Sequence, residues 1–198
     1  MEGSDPPVRE SIEFARIVAF TDGVFAIAIT LLVLSLEVPA ELSAADLHEY
    51  LLDSWAQLFA YFLSFAVIGR FWITHHRMFS LVRSFDPRLM VLNLVSLSLV
   101  VLIPFPTELL GEYGSEVDAV VLYAFVVGAT ALLNWVLLRS ARGRGHVRPD
   151  ARAAASDLLS GSLQVAIVFF VSIPVALVNP LIGQLTWLGL ALDAVRHR

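Results

Sequence analysis

The sequence predicts an all-α integral membrane protein of six transmembrane helices, and three observations carry that prediction. The chain of 198 residues is 58 % hydrophobic, with a mean hydropathy of +0.77. Soluble domains sit nearer 45–50 % apolar. With roughly 20 apolar residues needed per crossing, six crossings and short connections use up the length as one domain, residues 1–198. Finally, charge alternates along the chain. All 13 basic residues are arginines, and they fall in blocks: Arg9 and Arg16; Arg70, Arg77, Arg83 and Arg88; Arg139, Arg142, Arg144, Arg148 and Arg152; Arg196 and Arg198. The intervening loops are acidic, one with Glu37, Glu41, Asp46, Glu49 and Asp53, the other with Glu108, Glu112, Glu116 and Asp118. Arginine retention on the cytoplasmic side predicts this pattern, with both termini on the cytoplasmic side of the cell membrane. The ARGRGHVR stretch is thereby read as a topology signal, with no nucleic-acid partner implied.

The spans follow from apolar runs broken by charge and turn residues, at roughly 12–36, 51–73, 89–106, 118–139, 157–178 and 180–195. The third is expected to end at Pro104 and Pro106, and the fifth contains Pro174, which neighbouring groups can accommodate in a membrane helix. The sixth is short, about 24 Å at 1.5 Å per residue, but arginines beyond it favour an even number of crossings. The acidic, proline-containing start lacks the basic region and short apolar core of a cleaved signal peptide and is expected to be a cytoplasmic tail. Without cysteine there is no thiolate chemistry. No metal-ligand spacing, phosphate loop, nucleophile–base pair or paired carboxylates stand out, so neither a cofactor nor an enzymatic activity is expected.

The first span is the most informative. Gly23 to Leu36 is apolar except for Thr30 and Ser35, yet too short to cross; reaching full length draws Arg16 and Asp22 to the membrane. Charges there face protein or water and usually pair. At about 100° per residue, Phe20, Gly23, Ile27, Thr30 and Leu34 form one stripe above Arg16, whereas Asp22 lies about 140° from Ile27. By periodicity alone such a stripe is first read as a helix-packing seam, and second as a narrow path with Ile27 and Leu34 as apolar rings and a Thr30 hydroxyl between them. Ala19, Gly23 and Ala26 permit close approach in either case. Asp22 is expected to find a partner in Arg16 or in His75 or His76.

Arg16-Ile-Val-Ala-Phe20-Thr21-Asp22, followed by Gly-Val-Phe-Ala-Ile-Ala-Ile-Thr-Leu-Leu-Val-Leu, resembles the signature that opens the first helix of the transmembrane protein 175 family, the endosomal and lysosomal potassium channels and their bacterial relatives. The family pattern is Arg-x-x-x-Phe-Ser-Asp, and Thr21 replaces the serine while keeping its hydroxyl. A Phe71-Trp72-Ile73-Thr74-His75-His76-Arg77 segment near the second helix's end adds to the resemblance. With one motif copy, the chain resembles the bacterial single-repeat form, which implies a homotetramer around a central pore lined by the first helices. The resemblance implies a potassium-permeable, leak-type cation channel without the Thr-Val-Gly-Tyr-Gly filter. It places the constriction at Ile27 and Leu34, cation preference at Thr30, and a structural polar network at Arg16, Phe20, Thr21, Asp22, His75 and His76. An apolar ring can gate by dewetting, and hydroxyls give only modest selectivity. A proton-linked carrier using Asp22 and the histidines, or a non-conducting scaffold, are the competing readings.

Overall fold

A computed structural model describes residues 8–36 and 43–196. The expected tail at 1–7, Glu37 and Glu41 of the acidic loop, and Arg198 lie outside the described residues. Every principal element is helical: α1 (Val8–Leu31), continued by a 3-10 turn at Leu32–Ser35; α2 (Ala44–Asp53); α3 (Trp55–Leu81); α4 (Pro87–Leu102); α5 (Pro104–Glu112); α6 (Val117–Gly143); α7 (Arg152–Val178); and α8 (Pro180–Arg196).

Five segments among the described residues are long and apolar enough to cross a membrane: Ile12–Ser35, Trp55–Leu81, Pro87–Glu112, Val117–Gly143 and Pro149–Val178. The expected sixth, α8, has 17 residues and falls just below that length. Large apolar side chains cover the outside of the bundle, as lipid contact requires; Trp55, Phe62, Leu177 and Val178 are all exposed.

Several boundaries differ from the sequence reading, each for a local reason. Residues 51–53 belong to the separate helix α2, which starts at a capping box. The Ser43 hydroxyl accepts from the Asp46 N–H at 3.2 Å, and the Asp46 carboxylate accepts from the Ser43 N–H at 3.3 Å. Helix α3 continues two turns past residue 73 to Leu81, so Arg70, both histidines and Arg77 are helical. The third span does not end at its prolines. It breaks at Ile103 and resumes as α5 to Glu112, because Pro104 takes the first helical position, where a missing N–H costs nothing.

Helices α6 and α7 form the central pair, with α4 packed on α6, α5 on α3, and α8 on α7. Gly128 on α6 lies under Phe169 and Phe170 of α7, where an added Cβ would meet their carbons at 3.3 Å. Trp187 of α8 stacks on Phe169 with centroids 5.3 Å apart, lies 5.1 Å from Tyr123, and donates its indole N–H to Ser172 at 2.8 Å.

Two loops are pinned together at one end. Val82 and Val147 form an antiparallel bridge, with Arg83 N–H donating to His146 O at 2.9 Å and Arg148 N–H to Leu81 O at 3.0 Å. Gly145, at φ 77°, allows the turn. Asp86 caps α4 by accepting from Leu89 N–H at 2.8 Å, and it meets Arg144 at 3.2 Å and His146 at 3.4 Å. The Leu89 bond, then Arg144 and His146, hold its carboxyl below the usual carboxylate range. Phe14 near the start of α1 packs edge-on to Phe79 and against Phe85 at this same end. At the opposite end, Gln184 of α8 donates to Gly114 O at 2.6 Å, in the turn between α5 and α6. The arginine-bearing loops therefore gather at one end of the bundle and the acidic turn at the other.

Candidate functional site

Helix α1 rests on its own subunit by one buried ridge, flanked by the half-buried Val24 and Ile29. Thr21, Phe25, Ala28 and Leu32 are buried, each at 1 % exposure or less. Their spacing of three or four residues places them within one strip of the helix. The helix is flanked by α3 on one side and α4 on the other. The stripe singled out in the sequence lies on the face turned outward. Ile27 is 57 % exposed, Leu34 66 % and Phe20 55 %, and Gly23 and Thr30 are exposed as well. A Cβ on Gly23 would meet nothing within 4 Å. The Thr30 hydroxyl donates to Ile27 O at 2.9 Å, so its proton is committed to the helix and its oxygen lone pairs face out.

The sequence placed Asp22 with Arg16 or a histidine, and here the structure differs. Its carboxylate accepts the Trp72 indole N–H at 2.9 Å, and it forms no ion pair among the described residues. Six residues on one helix separate Arg16 from Asp22 by about 9 Å and about 120°, so the pair cannot meet. Arg16 instead borders an open groove of about 360 Å³ between α1 and α4, with Glu13, Phe20 and Asn93. The four motif residues thus point three ways: Arg16 and Phe20 toward the groove, Thr21 into the core, and Asp22 toward α3.

The histidines also divide. His75 is buried, with Phe25 edge-on at 5.3 Å and Phe79 at 5.6 Å. Its Nε2 bonds Asn93 Oδ1 at 2.9 Å, and the Asn93 amide donates to Thr21 Oγ1 at 3.1 Å. Because Asn93 Oδ1 can only accept, Nε2 carries the proton, and the buried Nδ1 has no partner. His76 lies exposed beside Trp72, with rings 5.7 Å apart. The network therefore joins α1, α3 and α4 through Thr21–Asn93–His75 and Asp22–Trp72.

Trp72 and Asn93 are the residues the sequence reading missed. Trp72 looked like an interface anchor, and Asn93 like one of several isolated polar residues. The available signal was spacing: Trp72 stands three positions before His75, close to it on the helix surface. Among the described residues no group of histidine and carboxylate side chains could hold a metal ion. A second buried chain of hydroxyls, Thr107–Ser64–Tyr123, stitches α5, α3 and α6 together at 2.7 and 3.1 Å.

Comparison with known proteins places this geometry. The sequence model described as "Endosomal/lysosomal potassium channel TMEM175" matches residues 16–104. A protein of Streptomyces collinus named as a potassium channel is 41 % identical over 183 residues, covering 83 % of this chain and 86 % of that protein. The human endosomal/lysosomal proton channel TMEM175 is 27 % identical over 220 residues, covering 93 % of this chain but only 44 % of the longer human protein. The crystal structure of a lysosomal potassium-selective channel TMEM175 homolog from Chamaesiphon minutus superposes with a TM-score of 0.82 at 32 % identity, covering 93 % of this chain and 97 % of that one.

Proposed function

Since the chain belongs to the TMEM175 family, we propose that it is a potassium-permeable cation channel in which copies of α1 surround a shared pore. Four single-repeat chains form the assembly, each contributing six crossings with α8 as the last. Both termini lie on the cytoplasmic side of the cell membrane. The observation that carries the reading is the two-sidedness of α1: one ridge is buried in its subunit, and the opposite face, with Ile27, Thr30 and Leu34, is bare. A tetramer turns that bare face onto the axis.

On this arrangement Ile27 and Leu34 form apolar rings that water can vacate, and the Thr30 hydroxyl oxygens stand between them as partial replacements for an ion's hydration. Selectivity is weak, because no backbone carbonyl cage is involved. Acidic residues at the outer end raise the local cation concentration in a salt-dependent way. The Thr21, Asp22, Trp72, His75 and Asn93 network sets the rotation of α1 about its axis and so keeps Ile27 turned inward.

The purified protein in liposomes loaded with potassium tests this. A channel gives passive potassium efflux that establishes a diffusion potential with no coupled ion. Efflux that requires a proton gradient indicates a carrier, and no efflux indicates a scaffold; either outcome overturns the proposal. Proton flux without potassium flux would align the chain with the activity named for the human relative instead.

A further inference from the structure

Helix α3 carries two arginines, Arg70 and Arg77, whose charge no described residue answers. Among the described residues, neither the Arg70 nor the Arg77 side chain makes a hydrogen bond or an ion pair, and both are exposed. Other arginines at this end are engaged: Arg83 donates to Gly145 O, Arg139 lies over Trp135, Arg142 donates to Ser156, Arg144 meets Asp86, and Arg148 meets Asp150. Arg88 and Arg152 stand free at helix starts, where water can reach them.

Depth distinguishes Arg70 and Arg77. Counted from Trp55, Arg70 lies about 22 Å and Arg77 about 33 Å along the helix, against a hydrocarbon core of about 30 Å. Arg70 is thus inside the apolar layer, and Arg77 at the headgroup level beyond it. Seven residues apart, they share one face, offset by about 20°. That face turns away from the pore helix. Trp72, two positions on, reaches Asp22 of α1, whereas Arg70 lies against α7, its guanidinium 3.9 Å from where a Gly161 Cβ would stand. Glycine there lets the Arg70 guanidinium lie close to α7. An unpaired guanidinium in hydrocarbon is costly and snorkels toward the nearest anion, and arginine matches phosphate in a bidentate manner.

We propose that Arg70 and Arg77 bind the phosphate headgroup of an anionic phospholipid seated on the arginine-bearing face of α3, beside α7. The acyl chains lie along the exposed apolar surface of α3 in the same half of the bilayer, which includes Phe65 and Ile73. The site requires only that α3 cross the bilayer, so it stands or falls separately from ion conduction. Among the described residues one carboxylate bears on it: Asp157, one turn from Gly161 on α7.

Thermal unfolding of the full chain in nanodiscs, with native mass spectrometry of retained lipid, tests the site. Adding phosphatidylglycerol to phosphatidylcholine discs is expected to raise the midpoint by about 5 °C or more. The Arg70→Gln/Arg77→Gln variant loses that shift and its retained phosphatidylglycerol, Arg70→Lys keeps part of it, and Arg88→Gln/Arg152→Gln, with the same charge change, keeps all of it. The proposal is overturned if the Arg70/Arg77 variant keeps the shift, or if the Arg88/Arg152 variant loses it equally. It also fails if the Arg70/Arg77 substitutions lower the midpoint as much in pure phosphatidylcholine, with Asp157→Asn doing the same, which would mark an ion pair within the chain. Inorganic phosphate that reproduces the shift in phosphatidylcholine discs would replace the lipid as ligand.

Discussion

Asp22 and Ile27 stand five residues apart on one helix and face opposite surroundings, which gives substitutions at the two sites different consequences. Ile27→Asn puts an amide into the proposed dewetted ring and is expected to raise potassium flux severalfold without altering the thermal midpoint, as bare side chains contribute little to the subunit's own packing. Thr30→Ala is expected to bring the potassium-to-sodium permeability ratio toward unity, measured as a reversal-potential shift under bi-ionic conditions. Asn93→Ala acts elsewhere: it strands the His75 Nε2–H and removes the donor to Thr21, both buried. A loss of about 1–3 kcal/mol is expected, read as a lower unfolding midpoint; an unchanged midpoint would remove this network from the account of α1's orientation. The bare stripe was legible in the sequence because helical periodicity alone fixes which residues share a face. The partner of Asp22 was not, since choosing between an indole three positions ahead of a histidine and the histidine itself depends on how α3 is rotated against α1, which is a tertiary quantity.

At the scale of elements, the helices were legible and their ends were not. Apolar runs identify Phe20–Leu34 or Val120–Leu138 as helical, but boundaries depend on single groups: the Ser43–Asp46 box that starts α2, Pro104 that breaks and restarts a helix, and Asp86 that caps α4. Asp86 yields a pH prediction. Its carboxyl is lowered, chiefly by the Leu89 amide, so the stabilisation it gives is complete above the unfolded value of about 3.9. That stabilisation is lost as pH falls below this value and through the lower folded one. Hydrogen exchange at the Leu89 amide, corrected for its intrinsic rate, should stay slow from pH 7 to about 5 and accelerate only in stronger acid; Asp86→Ala should make it fast at neutral pH. The α7–α8 hairpin offers a second test. A Cβ on Gly183 would stand 2.8 Å from the Ala176 Cβ and 3.0 Å from its Cα. Gly183→Val is therefore expected to cost about 1–3 kcal/mol by overpacking, seen as proteolytic release of the C-terminal segment. If the variant is as resistant as the parent, α8 is not held by this contact.

For the whole molecule, the charge pattern was the most readable feature, because arginine blocks and acidic loops alternate with each turn of the chain, and the bundle gathers them at opposite ends. The assembly was not readable from residues, since nothing within one chain specifies how many copies enclose an axis. The absence of native cysteine makes that number measurable. Ile27→Cys, oxidised in the membrane, is expected to give disulfide-linked dimers on a denaturing gel, as only side chains meeting near a common axis come within bonding distance. A product that remains monomeric under oxidation would place α1 against lipid. The slender footing of α1 has a further bearing on how such proteins diversify. Because the outward stripe with Ile27, Thr30 and Leu34 is not pledged to the protomer's interior, it can drift under selection for a different permeant ion while folding stays intact. Sequence relatives named for potassium in a bacterium and for protons in humans are what such freedom would yield.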